Sequence, residues 1–496
     1  VKSFKKLRLF IIAGAAMVLL VSSGQRYLPL LIQQTDSPHA LYLGVLLGSE
    51  PALEALSGYA RESANPYWLE IVAEAGDAGA YYILALNEGN EARHIALLNQ
   101  SAAGGYAKAQ YELALLTDSA LKRIELLTRA AHQQYLPATI SLYQWYLHQG
   151  QVEKALPWLE QAASQDADSA LILARQQWQK GQYTQARQGF NQASRLGSPE
   201  ATEYVSLIEN YWPAEQGSGW GPETVITTGR RCAMHIQPVV TSLENMRQLM
   251  SLAEEFHDDK RLSDLPVCLL RPIWLSDNQL NCDANWQGNR RLGCDAAKLA
   301  ELPLDDELSH ILVLAPQGKA NVHNGIMYLD LTDSYSVFVH ELAHFAGFVD
   351  EYPLSSELAG QMCHPNLQPP NLIYTLSEEE LAQKVDKWRQ ANVDWELAKS
   401  RTCNNHPLQA YKASSRLTFM EYHDQAYIPP VYLALWKQRL NRKHYLLPAH
   451  INIAQALEQQ GKFEQAKYWW KKRDAFYGML PLSVDSNLNG SAAAPD

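Results

Sequence analysis

Between residues 36 and 210 the chain repeats itself at a nearly fixed interval. Five local sequences, AGDAGAYY, AGGYAKAQY, HQQYLPA, QDADSA and LGSPEA, bring up Ala80, Ala109, Ala138, Ala170 and Ala201, at successive gaps of 29, 29, 32 and 31 residues. A period of this length is one helix pair, too small to bury its apolar face alone, so successive pairs must stack into a solenoid. Small residues at these positions let the helices approach closely, and strand-like runs are scarce.

The repeats resemble Sel1-like and tetratricopeptide repeats. The resemblance rests on the Ala-Ala ending one unit and the small residues opening the next, and covers about 170 residues. It implies a protein-binding scaffold; support of the neighbouring domain is the alternative. Near the C-terminus Ala449 to Phe476 reads as one more helical hairpin turning at Gln460-Gly461, and EQAKYW around Ala466 resembles the second helix of a tetratricopeptide unit.

The pattern changes after a stretch containing Pro213, Gly217, Gly219, Gly221 and Pro222, read as a linker over 211–230. From residue 231 strands and helices mix. Strands are expected over 232–240, 267–275, 310–314 and 325–331, and helices over 243–256 and 334–347, with a loop-rich, cysteine-bearing segment over 277–300.

The expected helix over 334–347 carries His340-Glu341-Leu342-Ala343-His344. Residues four apart share one helix face, so His340 and His344 can turn both imidazoles to one cation. Glu341 can reach a water at that cation and accept its proton. Two ligands are too few for a catalytic zinc, which takes three and keeps one position open. Gly347 can end the helix at positive φ, so that Asp350 arrives from outside as the third ligand. Glu351 is the alternative third ligand. His364, His406 and His423 lack ligand spacing and read as surface or structural residues, with His423 the best spare.

The pattern H-E-x-x-H-x-x-G-x-x-D resembles the metzincin clan of zinc peptidases, in the variant with Asp as third ligand. The Asp350-Glu351-Tyr352 ending is similar to the immunoglobulin A peptidase-like family. The resemblance covers about 230–445 and implies a Zn2+ cofactor and peptide-bond hydrolysis. It also implies a methionine turn beneath the site, matched by Met420 in LTFMEY, and a metal-approaching tyrosine, matched by Tyr422, with a helix over 429–440 following. The substrate is expected to lie extended along an edge strand at Ile326, Met327, Tyr328 and Leu329.

At the N-terminus Lys2, Lys5, Lys6 and Arg8 precede the apolar run Leu9–Val21. This is the layout of a secretory signal over 1–24, cleaved or kept as an anchor, and a membrane is expected as a partner only through that segment. Six cysteines, with no C-x-x-C pair, suggest disulfides in an exported chain. Sequence leaves their pairing open; proximity suggests Cys282 with Cys294 and Cys363 with Cys403. A net charge of −11 argues against nucleic acid as a partner.

The expected architecture is therefore multidomain: an all-α solenoid over 36–210, an α/β metzincin-like peptidase domain over 231–445, a helical hairpin over 448–480 and a disordered tail over 483–496. The expected function is zinc-dependent endopeptidase action on a protein or peptide substrate outside the cytoplasm, with a protein partner on the solenoid. The alternative is an envelope interaction scaffold whose zinc domain is structural or inactive.

Overall fold

The computed structural model describes residues 37–212, 232–275 and 279–478. It separates into two compact units, Val1–Val205 and Ser206–Asp496. The expected signal segment and tail lie outside the described residues, as does the expected linker beyond its first two positions.

In the first unit, helices follow one another from Pro38–Leu46 to Pro199–Tyr211. The repeating alanines explain the stacking. Ala80, Ala109, Ala138, Ala170 and Ala201 are all buried near the start of the second helix of a pair. Ala102, Ala130, Ala131, Ala162 and Ala163, at the ends of the first helices, are buried as well. The turn inside the pair is also repeated. Gly76, Gly105 and Gly197 take φ of 105°, 93° and 101°. Each sits in a helix-terminating motif in which the next residue's amide returns to the carbonyl of Val72, Ser101 or Ala193. In the same motif Gln134, a residue with a Cβ, holds φ 60°. Side-chain amides reach equivalent carbonyls by two routes: Gln161 and Gln192 donate from the following pair to Ala131 and Ala163, and Gln110 donates from within its own pair to Ala102.

The second unit is built on a twisted sheet of β1 (Met234–Val240), β2 (Val267–Leu269), β3 (Ile273–Trp274), β4 (His310–Ala315), β5 (Asn321–His323) and β6 (Ile326–Asp330). The order is β2-β1-β4-β6-β5, with β3 also on β1. All pairings are parallel except β5 with β6. The run expected as one strand over 267–275 is two, because Pro272 between them has no amide to donate to the ladder. β1 and β4 are buried almost throughout, as strands covered on both faces must be.

One expectation is corrected by this sheet. Ile326–Leu329 is not an edge: β6 pairs with β4 on one side and β5 on the other. The edge is Asn321–His323. Asn324 and Gly325, at φ 41° and 78°, make the tight hairpin that folds this short polar strand back onto β6.

The hairpin Ala449–Gln459 and Phe463–Phe476 shares its core with the sheet, Ile453, Leu457 and Trp469 packing with Ile311, Val313 and Ile326. The amide of Ala449 donates to Ser309 O at 2.8 Å. A Cβ at Gly325 would collide with the backbone of Leu447, Pro448 and Ala449, so glycine is required there by contact as well as by φ. A second, three-stranded sheet, β7 (Leu372–Thr375), β9 (Gln409–Lys412) and β8 (Ala398–Ser400), lies between the histidine helix and Met420 in sequence. Disulfides join Cys232 to Cys268, Cys282 to Cys294 and Cys363 to Cys403, which fits an oxidising compartment. Among the described residues no helix is long and apolar enough to cross a membrane.

Candidate metal centre

The helix Tyr335–Phe345 buries Phe338, Leu342 and Phe345 on its core side. That packing fixes its rotation and turns His340 and His344 together to the other side. The helix ends at Gly347, φ 77°, where Gly347 N bonds to His344 O and Phe348 N to Ala343 O. The reversal brings Asp350 back beneath the imidazoles.

Three atoms then meet. His340 Nε2 and His344 Nε2 are 3.2 Å apart, and Asp350 Oδ1 is 3.0 Å from the first and 3.3 Å from the second. Donors about 2.0–2.1 Å from a tetrahedral metal are separated by about 3.3 Å, so the triangle has the size such an ion needs. Asp350 Oδ1 is buried and accepts no well-aligned hydrogen bond. An orphaned anionic oxygen facing two imidazole lone pairs is the donor set of a small divalent cation such as Zn2+.

The outer contacts fix the tautomers. His340 Nδ1 lies 2.8 Å from Phe419 O, and His344 Nδ1 lies 2.9 Å from Phe348 O. A carbonyl only accepts, so each neutral ring carries its proton on Nδ1 and leaves Nε2 bare. Asp350 is held through its backbone: Thr402 Oγ1 donates to its carbonyl at 2.8 Å. On either side, Asn371 bonds both polar backbone groups of Val349, and Glu351 N donates to Met420 O.

The charges are strongly coupled. Burial disfavours the imidazolium of His344, but the Asp350 carboxylate outweighs it and lifts the pKa to about 9. Burial alone would raise Asp350; the two histidines instead hold it far below the usual carboxylate range. The cluster therefore attracts positive charge, as a proton or as a metal ion.

Glu341 is buried beside these ligands, its carboxylate and the two imidazoles offering donor atoms within 4.8 Å of one another. Burial raises its pKa, partly countered by His344 and His340. Tyr352 lies near the cluster: burial, and then the Asp350 carboxylate, raise the pKa of its phenol. The expected Tyr422 is half exposed, and its hydroxyl accepts from Arg401 at 3.4 Å. Sequence reasoning passed over Tyr352, although its place two residues after a ligand was a usable signal. Met420 is fully buried in the segment that orients His340.

Glu351 does not compete with Asp350. Its carboxylate accepts from Thr418 Oγ1, the Tyr432 hydroxyl and Asn371 Nδ2, with Lys412 Nζ 3.6 Å away. His423 pairs with Asp424 at the surface, while His364 and His406 accept local backbone amides, from Asn366 and Leu408.

No protein-family model matches the chain, and no curated protein matches it. Solved structures do. A Sel1 repeat protein from Oxalobacter formigenes is 16% identical over 35% of this chain and 89% of its own length, with a TM-score of 0.27. The antigen c5321 of uropathogenic Escherichia coli, with an SLR fold, is 20% identical over 38% of this chain, with a TM-score of 0.26. This chain spans about half, 53%, of the antigen's length.

Proposed function

We propose that the second unit is a metzincin-like zinc endopeptidase acting on a protein substrate outside the cytoplasm, and that the helical repeats hold a protein partner. The observation carrying this reading is the convergence of His340 Nε2, His344 Nε2 and Asp350 Oδ1 beside the buried carboxylate of Glu341. A structural metal site has no need of a buried base at its side, which argues against the scaffold alternative.

His340, His344 and Asp350 would hold the ion. When bound, Zn2+ supplies Lewis acidity, acidifying water and polarising a carbonyl. Glu341 takes the proton of the attacking water and passes it to the leaving amine. The Tyr352 phenol would donate a hydrogen bond to the carbonyl oxygen as it gains charge. The free edge at Asn321–His323 can add the substrate as a further strand.

The test is metal content and casein hydrolysis for the wild type and Glu341→Gln. One zinc per chain, with hydrolysis lost in the variant, is expected. Full activity in Glu341→Gln would overturn the assignment of the base, and absence of zinc would overturn the metal centre.

A further inference from the structure

The Cys282–Cys294 disulfide closes a short loop. Asp283 and Gly293 bridge its base, and Trp286 N bonds to Arg291 O at 3.0 Å. The Trp286 ring packs on Gly293 where any Cβ would collide. The loop is fastened beside the edge strand β5. Asn321 Nδ2 donates to Leu292 O at 2.8 Å, and Leu292 N donates to Lys319 O at 3.2 Å. Gly318 lies against Leu292 and Ala284. Arg291, next to Leu292, is thereby set by the free edge.

Its guanidinium is exposed and has no carboxylate partner among the described residues. The nearest acids of the loop are engaged: Asp283 accepts from Asn285 N, and Asp295 from Ala297 N and Gln460. Arg291 also adds to the burial that lowers the pKa of His323, in keeping with a cation close to the edge strand. In a chain of net charge −11 this is an unneutralised cation beside the edge strand. A guanidinium matches a carboxylate with two parallel hydrogen bonds.

We infer that Arg291 determines specificity by binding an Asp or Glu side chain of a substrate lying along β5. An extended substrate on β5 presents alternate side chains to one face, and one of them passes Arg291. The inference rests on the endopeptidase reading. A charge-assisted hydrogen bond of this kind corresponds to about 10–100-fold in discrimination.

The experiment uses zinc-loaded full chain and quenched fluorescent peptides differing only in Glu, Gln or Lys around the cleaved bond, with free or amidated C-termini. The wild type is expected to hydrolyse Glu peptides with kcat/KM about 10–100-fold above their Gln counterparts, whatever the C-terminus. Arg291→Ala should abolish the ratio, and Arg291→Glu should favour Lys. Equal rates for Glu and Gln, or a preference surviving Arg291→Ala, would overturn the subsite and leave the peptidase standing. A preference that follows the free C-terminus alone would overturn the side-chain assignment. If zinc-loaded wild type cleaves no peptide, the endopeptidase reading fails. Fluorescence anisotropy with the same peptides, dye-labelled, then decides the subsite: tighter Glu binding that needs Arg291 upholds it, and equal binding overturns it.

Discussion

The Nδ1 atom of His340 lies 2.8 Å from the carbonyl oxygen of Phe419, which joins the first ligand to a segment 79 residues downstream. The amide of Glu351 meets the next carbonyl, that of Met420. One turn of chain therefore aims a histidine and holds the residue after Asp350. Asp350→Ala should lower zinc affinity by at least about 100-fold, since it removes a ligand whose loss exceeds that of an outer partner. Glu341→Gln should change affinity by less than about threefold and lower kcat by about 10²–10⁴. Competition with a chromophoric chelator and peptide hydrolysis read the two effects separately.

Lys412 is buried between two carboxylates, 2.6 Å from Glu421 Oε2 and 3.6 Å from Glu351 Oε2. Lys412→Met leaves Glu351 without a cation and Glu421 with Arg401 alone. The expected loss is about 3–5 kcal/mol in urea unfolding. Adding Glu351→Gln should return part of it. Equal stability of wild type and Lys412→Met would show that this buried network is not coupled to folding.

His310 and His450 are buried where the C-terminal hairpin meets the sheet, each with one ring nitrogen unpartnered. Burial pushes His310 down to about 3, with His450 adding to it, and pushes His450 down to about 4, with Lys472 adding to it. Unfolded, each titrates near 6.5. Below that pH the unfolded chain binds protons that the folded chain refuses, so the stability these neutral rings contribute is full above about 6.5 and falls as pH drops towards 4. The loss is at most about 1.4 kcal/mol per pH unit for each histidine. Urea midpoints at pH 7.5, 6 and 5 should converge between wild type and His450→Leu as pH falls; parallel curves would contradict the neutral assignment.

Gln134 holds φ 60° at the position where three other repeats place glycine. Gln134→Gly should stabilise the repeats by about 0.5–1 kcal/mol, because the left-handed conformation costs a glycine nothing sterically. Gly105→Ala, at φ 93°, should do the opposite. Far-UV circular dichroism during urea unfolding measures both.

The repeat alanines were legible because solenoid helices contact only their sequence neighbours, so the burial of Ala80 through Ala201 follows from local pattern. The shared face of His340 and His344 was legible for the same reason, since a helix converts spacing into direction. Proximity in sequence also anticipated the disulfides Cys282–Cys294 and Cys363–Cys403. The edge strand was misplaced because Asn321–His323 is short and polar, and only the Asn324-Gly325 turn betrays the hairpin.

What spacing determined about this protein was therefore a stacked helical series and a helix bearing two imidazoles with a carboxylate beside them. Tertiary structure decided between Asp350 and Glu351, neighbours in sequence whose side chains enter different surroundings: one meets two histidines, the other Thr418, Tyr432 and Asn371. It also brought Tyr352 to the cluster and Arg291 to the edge strand. The reason is physical: helix geometry is a local property of the backbone, whereas the direction of a loop side chain depends on distant segments that pack against it.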